Sequence, residues 1–93
     1  MDVELVSFVK RGKKREQILM VMYKTMSPSE IAKATNLPPS HISRALKEFM
    51  LMGIVDCLNP KTKTGKLYRL TKKGEDICRI IKGGEIADEY SNK

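Results

Sequence analysis

Residues 29–49 of the 93-residue chain read SEIAKATNLPPSHISRALKEF, and the second half of this stretch is rich in side chains that donate hydrogen bonds. These polar residues, most of which are short, are Ser40, His41, Ser43, Arg44 and Lys47. A guanidinium group donates two parallel hydrogen bonds to one partner, while hydroxyl groups both donate and accept. The residue types therefore indicate recognition through hydrogen bonds.

The chain lacks the groups of residues that catalysis or metal binding requires. His41 is the only histidine, with no second histidine or carboxylate at ligand spacing and neither cysteine nearby. No glycine-rich phosphate loop, paired acidic motif or nucleophile motif occurs. We therefore expect a protein that is not an enzyme and that uses no cofactor or metal.

The two cysteines and the apolar stretches bear on the cellular compartment. Cys57 and Cys78 have neither the density of a secreted disulfide scaffold nor metal-ligand spacing. Both have apolar neighbours, so we expect buried free thiols, with thiol sensing as an alternative. The longest strongly apolar stretch, 18–23, is too short to span a bilayer, and the opening residues do not resemble a secretory signal. We expect a cytoplasmic protein that does not associate with a membrane.

The positive charge of the chain is clustered. The formal net charge is +7, and residues 54–74 carry six basic residues against Asp56 alone. A second basic cluster lies at 10–15, whereas residues 75–93 carry five acids against three bases. Clustered positive charge is typical of proteins that bind a polyanion such as nucleic acid. A charge excess that only improves solubility is the alternative.

Periodic apolar residues and capping motifs predict the helices. Ile18, Leu19, Met22 and Tyr23 form an apolar stripe over 13–24, whereas the segment before Gly12 is compatible with a helix or an extended chain. Residues 27–30 read SPSE, which is a capping-box pattern with proline at the first helical position. The short helix that follows has Ile31, Ala32 and Thr35 on its buried face. Asn36 tolerates a left-handed turn, and Pro38-Pro39 prevents this helix from continuing.

A third helix, a hairpin and a last helix follow. Pro39 suits the first turn of the third helix, which buries Ile42, Leu46 and Phe49 and ends at Gly53. Two β-prone runs within 54–70 flank the basic loop NPKTKTG, which predicts a hairpin with a positive tip. Thr71 caps the last helix. This helix has Ile77, Ile80 and Ile81 on its apolar side, and Gly83-Gly84 ends it.

Two helices joined by a tight turn can present the second helix to the major groove of DNA. Burial of Ile42, Leu46 and Phe49 leaves the polar residues of the third helix outside. Arg44 is the best candidate for reading a base, because a guanidinium bonds guanine O6 and N7 together. Lys47 is expected to contact phosphate. The hairpin lysines and the N-terminal cluster are expected to contact the DNA backbone or minor groove, with solvated surface as the alternative.

The segment SPSEIAKATNLPPSHISRALKEFMLMGIVDCLNPKTKTGKLYRLTKKGEDI resembles the winged helix-turn-helix core of small prokaryotic, particularly archaeal, transcription regulators of the MarR/ArsR type. The resemblance covers about 13–81. It implies that 39–52 is the recognition helix and 54–70 the wing. Two features depart from the family: Pro38-Pro39 replaces a more usual polar pair, and the chain lacks the long flanking helices with which larger members dimerise.

The sequence therefore predicts one mainly α domain over 1–93, with a three-helix core, a β-hairpin wing and a C-terminal helix. The core is expected at about 13–82, with 83–93 as a tail or short helix. We expect the protein to be a transcription regulator that binds double-stranded DNA sequence-specifically. A small-molecule effector is possible, but the sequence does not identify one. Apolar residues at both ends predict a homodimer formed through 77–90, the N-terminal segment or both. Candidate DNA contacts are Lys13, Lys14, Arg15, Ser29, Pro39, Ser40, His41, Ser43, Arg44, Lys47, Lys61, Lys63 and Lys66.

Two other functions remain compatible with the sequence. A winged helix can act as an adaptor that binds protein or RNA, and fold alone does not distinguish this from a regulator. A nonspecific, chromatin-type DNA binder is the other alternative. An adaptor would more often have exposed apolar residues on the third helix, so the polar face carrying Arg44 favours DNA.

Overall fold

The computed structural model describes the backbone of residues 3–91 and the side chains of residues 4–83. Within this range, five helices and a two-stranded antiparallel sheet follow one another along the chain. The elements are α1 (Val3–Arg11), α2 (Lys13–Val21), α3 (Pro28–Thr35), α4 (Pro39–Leu51), β1 (Val55–Cys57), β2 (Tyr68–Leu70) and α5 (Lys72–Ser91). The predicted mainly α fold with one hairpin is confirmed, and the undecided N-terminal segment is a helix.

Local capping determines where α3 begins and ends. The Glu30 backbone N–H donates to Ser27 Oγ at 3.2 Å, and the Ser27 backbone N–H donates to Glu30 Oε1 at 2.8 Å. These reciprocal bonds are the predicted capping box. Asn36 has φ 59° and ψ 35°, the left-handed conformation predicted for it. The start of α3 and the turn after it are therefore set by neighbouring residues alone.

The third predicted helix corresponds to α4. Ile42, Leu46 and Phe49 are buried on one face, as predicted. At its C-terminal end, the Ile54 N–H donates to Phe49 O at 3.0 Å, and the N–H of Gly53 donates to Met50 O at 3.1 Å. With Gly53 at φ +74°, these bonds form a Schellman cap, which satisfies carbonyl groups that have no partner within the helix.

The end of α2 differs from the prediction. This helix ends at Val21, and Tyr23 is 76% exposed, so the prediction that Tyr23 belongs to the apolar core stripe is wrong. The chain turns after Met22 because Met26 pairs with the wing: its N–H donates to Tyr68 O at 2.9 Å and its O accepts from the Tyr68 N–H at 2.8 Å. This pairing is a long-range contact that helical periodicity does not reveal.

The hairpin is joined to both neighbouring helices through Thr71. In the sheet, Val55 pairs with Leu70 and Cys57 with Tyr68. Thr71 Oγ1 donates to Gly53 O at 2.7 Å and accepts from the Gly74 N–H at 3.1 Å, so the predicted cap of α5 also holds the end of α4. Gly74 is buried against Ile54, where an added Cβ would lie 2.0 Å from the Ile54 carbonyl oxygen. Only glycine allows this approach.

The prediction that Gly83-Gly84 ends the last helix is wrong, because the backbone of α5 continues to Ser91. Glycine in a helix interior costs about 1 kcal/mol relative to alanine, which weakens a helix without terminating it. Termination at glycine generally uses a left-handed conformation. In the described range, Gly53 and Gly65 are the glycines with positive φ.

One core joins the central helices to both ends of the chain. Val9 from α1 and Ile77 and Ile81 from α5 are each at most 2% exposed, so some of the apolar residues behind the dimer prediction are used within the monomer. The buried apolar residues are Val9, Ile18, Leu19, Met22, Met26, Ile31, Ile42, Ala45, Leu46, Phe49, Ile54, Val55, Ile77 and Ile81. Neither Cys57 nor Cys78 belongs to this set. Both are partly exposed, which corrects the expectation of buried thiols.

Candidate nucleic-acid interface

The face of α4 opposite the core carries the predicted recognition residues. Ser40, Ser43, Arg44 and Lys47 are exposed, while His41 is half-buried. Pro39, at the first position of the helix, is also exposed. The burial of Ile42, Ala45, Leu46 and Phe49 accounts for this orientation, because residues three and four apart share one face of a helix. The polar side chains are therefore available to a partner.

A groove joins this face to the beginning of α2. It has a volume of about 360 Å³, and its lining combines the basic residues Lys13, Lys14, Arg15 and Arg44 with His41. Glu48 supplies a negative charge on the same wall. The sequence suggested the two basic regions separately, whereas the fold brings them together beside one cleft.

Arg15 lies beside these residues but has several partners within the protein. Its Cζ is 3.7 Å from the centroid of the Phe8 ring, and its Nη1 donates a hydrogen bond to Phe8 O. Arg15 Nε also lies 3.6 Å from Glu48 Oε1. The arginine thus connects α1 and α4, a role that the sequence analysis missed because Phe8 and Glu48 are 40 residues apart. Its contact with phosphate stays a prediction.

The wing presents its lysines on a loop that one asparagine organises. Lys61 and Lys63 are exposed, and Lys66 is half-buried. Asn59 Oδ1 accepts from the Leu67 N–H at 2.8 Å, and Asn59 Nδ2 donates to Gly65 O at 3.1 Å. Sequence analysis treated Asn59 only as a turn residue. Its position at the beginning of the loop was the feature of the sequence that could have indicated this structural role.

Ser29 is separate from the groove. It is exposed in the first turn of α3 and does not line the groove beside α4. The structure therefore brings together Lys13, Lys14, Arg15, His41 and Arg44 beside one groove, but not Ser29.

The environment of the thiols and acidic residues limits other chemistry. Burial raises the pKa of the Cys78 thiol, whose Sγ lies 3.8 Å from Leu19 O, and thus disfavours the reactive thiolate. In the part of the chain with described side chains, no group of three or more His, Cys, Asp or Glu residues could hold a metal ion. No described helix has the length and apolar character needed to cross a bilayer.

Comparison with known proteins relates this geometry to solved structures. No protein-family model and no curated protein matches the chain. AF1382 from Archaeoglobus fulgidus is 30% identical over 87% of this chain and 91% of its own, with a TM-score of 0.69. TubR from Bacillus thuringiensis serovar israelensis, solved bound to 24 bp of tubC, is 17% identical over 87% of this chain and 91% of its own, with a TM-score of 0.76. The MarR family transcription regulator SP03579 is 23% identical over 94% of this chain and 64% of its own, with a TM-score of 0.73. These similarities confirm the winged-helix fold.

Proposed function

Since the chain belongs to the same family as AF1382 from Archaeoglobus fulgidus and has a winged-helix fold, we propose that it binds double-stranded DNA and regulates transcription. The observation that carries this proposal is the shared groove of Lys13, Lys14, His41 and Arg44, beside the exposed face of α4. The solved complex of TubR with tubC DNA supports it, because that protein has the same fold. The MarR/ArsR subtype, an archaeal origin and a cytoplasmic location belong to the same proposal.

In the proposed complex, α4 enters the major groove. Arg44 donates two hydrogen bonds to guanine O6 and N7, while Ser40 and Ser43 allow a close approach and reach neighbouring bases or phosphates. Lys47 and the pair Lys13 and Lys14 neutralise phosphates beside the groove, which orients the domain without reading sequence. The exposed lysines of the wing contact a further part of the backbone. Arg15, which lines the groove, and Ser29, which lies on α3 outside it, remain candidate phosphate contacts.

A single α4 reads only a few base pairs, so we also propose a homodimer that reads two half-sites about one helical turn apart. Residues 77–90 and the N-terminal segment remain the proposed contact. Ile77 and Ile81 are buried within the monomer, so the contact must use the other residues of these segments. A sedimentation experiment tests this point, since a monomer at high protein concentration, with and without DNA, would contradict it.

Enrichment of random duplex DNA on the purified protein tests the proposed function. We expect a recurring motif, and we expect Arg44→Ala to lose it. Lys33→Ala is a matched control because Lys33 is an exposed basic residue of α3 outside the groove. Enrichment of duplexes without any shared motif would favour the nonspecific DNA binder.

One observation favours an adaptor as the second candidate function. Leu51 at the end of α4 is 84% exposed and Met50 is 43% exposed, and exposed apolar residues on this helix are what a protein-binding module would use. Leu51→Ser separates the two functions. Loss of a protein partner with unchanged DNA binding would support the adaptor, whereas no enrichment of any duplex would contradict the regulator.

A further inference from the structure

A second groove, of about 530 Å³, lies at the C-terminal end of α2, at the other end of this helix from the groove beside α4. Its walls come from the connection between α2 and α3, from β2 and from α5, and the two grooves share no lining residue. Its charged and aromatic lining residues are Tyr23, Lys24, Arg69, Glu75, Arg79 and Lys82. The proposed DNA contacts do not use any of them.

The charges of this groove are unbalanced. Arg79 is paired with Asp76, with Nη1 2.8 Å from Oδ1. In the part of the chain with described side chains, the side chains of Lys24, Arg69 and Lys82 form no hydrogen bond or ion pair, although Lys24 is near enough to Glu30 to help lower the pKa of that carboxyl group. Counted over the lining residues alone, these three cations set against Glu75 leave a surplus of about two positive charges, while Asp56, the cross-strand partner of Arg69, lies outside the lining. An anion in the groove would balance this surplus.

The groove also offers apolar surface, including an aromatic face. Tyr23 is 76% exposed, and Lys24 Nζ lies 5.9 Å from the centroid of its ring. The half-buried side chain of Leu70 provides apolar surface beside it. An aromatic side chain can stack against another flat ring, and it does so with specific offset geometry. A ligand with a planar apolar part would cover surface that is otherwise in contact with water.

From these features we propose that the groove binds a small organic phosphate monoester with a flat ring, of the size and chemistry of a nucleoside monophosphate. A phosphate monoester carries about −1.5 to −2 charges at neutral pH, which matches the surplus better than a monocarboxylate does. Arg69 provides the planar donor fork that suits phosphate oxygens. The volume lies within the roughly 300–1,000 Å³ typical of ligand sites. The ring stacks on Tyr23, and the phosphate lies between Arg69 and Lys82.

Titration of the full chain with adenosine monophosphate, in the absence of DNA, tests this proposal. Calorimetry gives the affinity and backbone amide NMR shifts give the location. We expect shifts at 22–25, 69–70 and 75–82, and binding about tenfold tighter than that of adenosine or inorganic phosphate. Equal affinity for adenosine monophosphate and inorganic phosphate would overturn the proposal, as would shifts confined to 13–14 and 41–44.

Variants identify the side chains that bind. We expect Arg69→Gln and Tyr23→Ala each to weaken binding of adenosine monophosphate about fivefold or more, since each removes one of the two kinds of contact. Lys33→Gln, which removes an exposed charge outside the groove, should have no effect. Unchanged binding by both groove variants would overturn the assignment.

A competition experiment distinguishes binding of a free phosphate ester in this groove from binding of the phosphates of DNA. If duplex DNA shifts the same groove amides and displaces adenosine monophosphate, the groove is a DNA contact and the proposal is overturned. Duplex DNA that leaves the bound nucleotide in place supports it. Because the ligand titration contains no DNA, its failure does not affect the proposed regulator, and loss of DNA binding does not affect the ligand site.

Discussion

Arg15 and Glu48 connect α2 to α4, with Nε of the arginine 3.6 Å from Oε1 of the glutamate. The same guanidinium contacts the ring of Phe8 in α1 and donates to its carbonyl oxygen. Three helices therefore meet at one side chain, which borders the groove proposed to bind DNA. The arginine positions α4 relative to the N-terminal helix.

We expect Arg15→Ala to lower the free energy of unfolding by about 1–3 kcal/mol, because it removes a charge-assisted hydrogen bond and a cation–π contact. Glu48→Gln should lower the free energy of unfolding by less than about 1 kcal/mol. The side chains of Arg15 and Glu48 are 27% and 37% exposed, so water screens their attraction. Urea unfolding measures both values. Equal losses would mean that the ion pair, rather than the Phe8 contacts, holds the helices together.

Gly74→Ala should destabilise the fold by about 3 kcal/mol or more, because the new methyl group would overlap the Ile54 carbonyl oxygen and force α5 away from the end of α4. Gly83→Ala is the matched control. Apart from its chain neighbours and the nearby backbone of its own helix, no atom lies within 4 Å of a Cβ added at Gly83, so this substitution should stabilise the protein by about 0.5–1 kcal/mol. Thermal unfolding of the two variants measures both changes in stability. Destabilisation by Gly83→Ala would contradict the helical continuation of α5.

Arg44→Ala should weaken binding to the preferred duplex by about 1–3 kcal/mol and relax selectivity at one or two base pairs. The expected loss follows from the bidentate bonds to guanine. Lys47→Ala is the comparison on the same exposed face, and should weaken preferred and scrambled duplexes alike. Fluorescence anisotropy with both duplexes measures the difference. A uniform loss for Arg44→Ala would reassign this arginine to phosphate.

Lys63→Ala should weaken binding to all duplexes about equally and reduce the dependence of log affinity on log salt by roughly one unit. The reason is that each neutralised phosphate contributes a slope of about −0.9 through counterion release. Titrations at several salt concentrations determine the slope. An unchanged slope would place the wing tip away from DNA.

The capping box gives α3 a predictable pH dependence. The Ser27 backbone N–H bonded to the carboxylate lowers the pKa of Glu30 below its ordinary 4.5. A lowered folded pKa contributes stability that is complete above the unfolded pKa and is lost as the pH falls through the folded pKa. The difference in unfolding free energy between the native protein and Glu30→Gln should therefore shrink on acidification below about pH 4.5. A difference independent of pH would contradict the contribution of the ionised carboxylate.

Short-range chemistry explains which parts of the fold were predictable. The cap at Ser27, the left-handed Asn36 and the end of α4 at Gly53 all depend on bonds between residues at most five positions apart. Helical spacing likewise identified Ile42, Leu46 and Phe49 as core. For the candidate site, the exposed face of α4 followed directly, because burying one face of a helix turns the opposite face to solvent.

By itself, the sequence determined the order of the elements from α2 onward, the caps of α3 and α4, and the polar face that carries Arg44. Tertiary structure decided the features that depend on distant residues. Pairing of Met26 with Tyr68 ended α2 early and exposed Tyr23, and packing against α4 placed Lys13 and Lys14 beside Arg44. Arg15 likewise meets Phe8 and Glu48 only in the folded chain. The physical reason is that periodicity and capping act within a few residues, whereas these contacts form only when separate elements share one core.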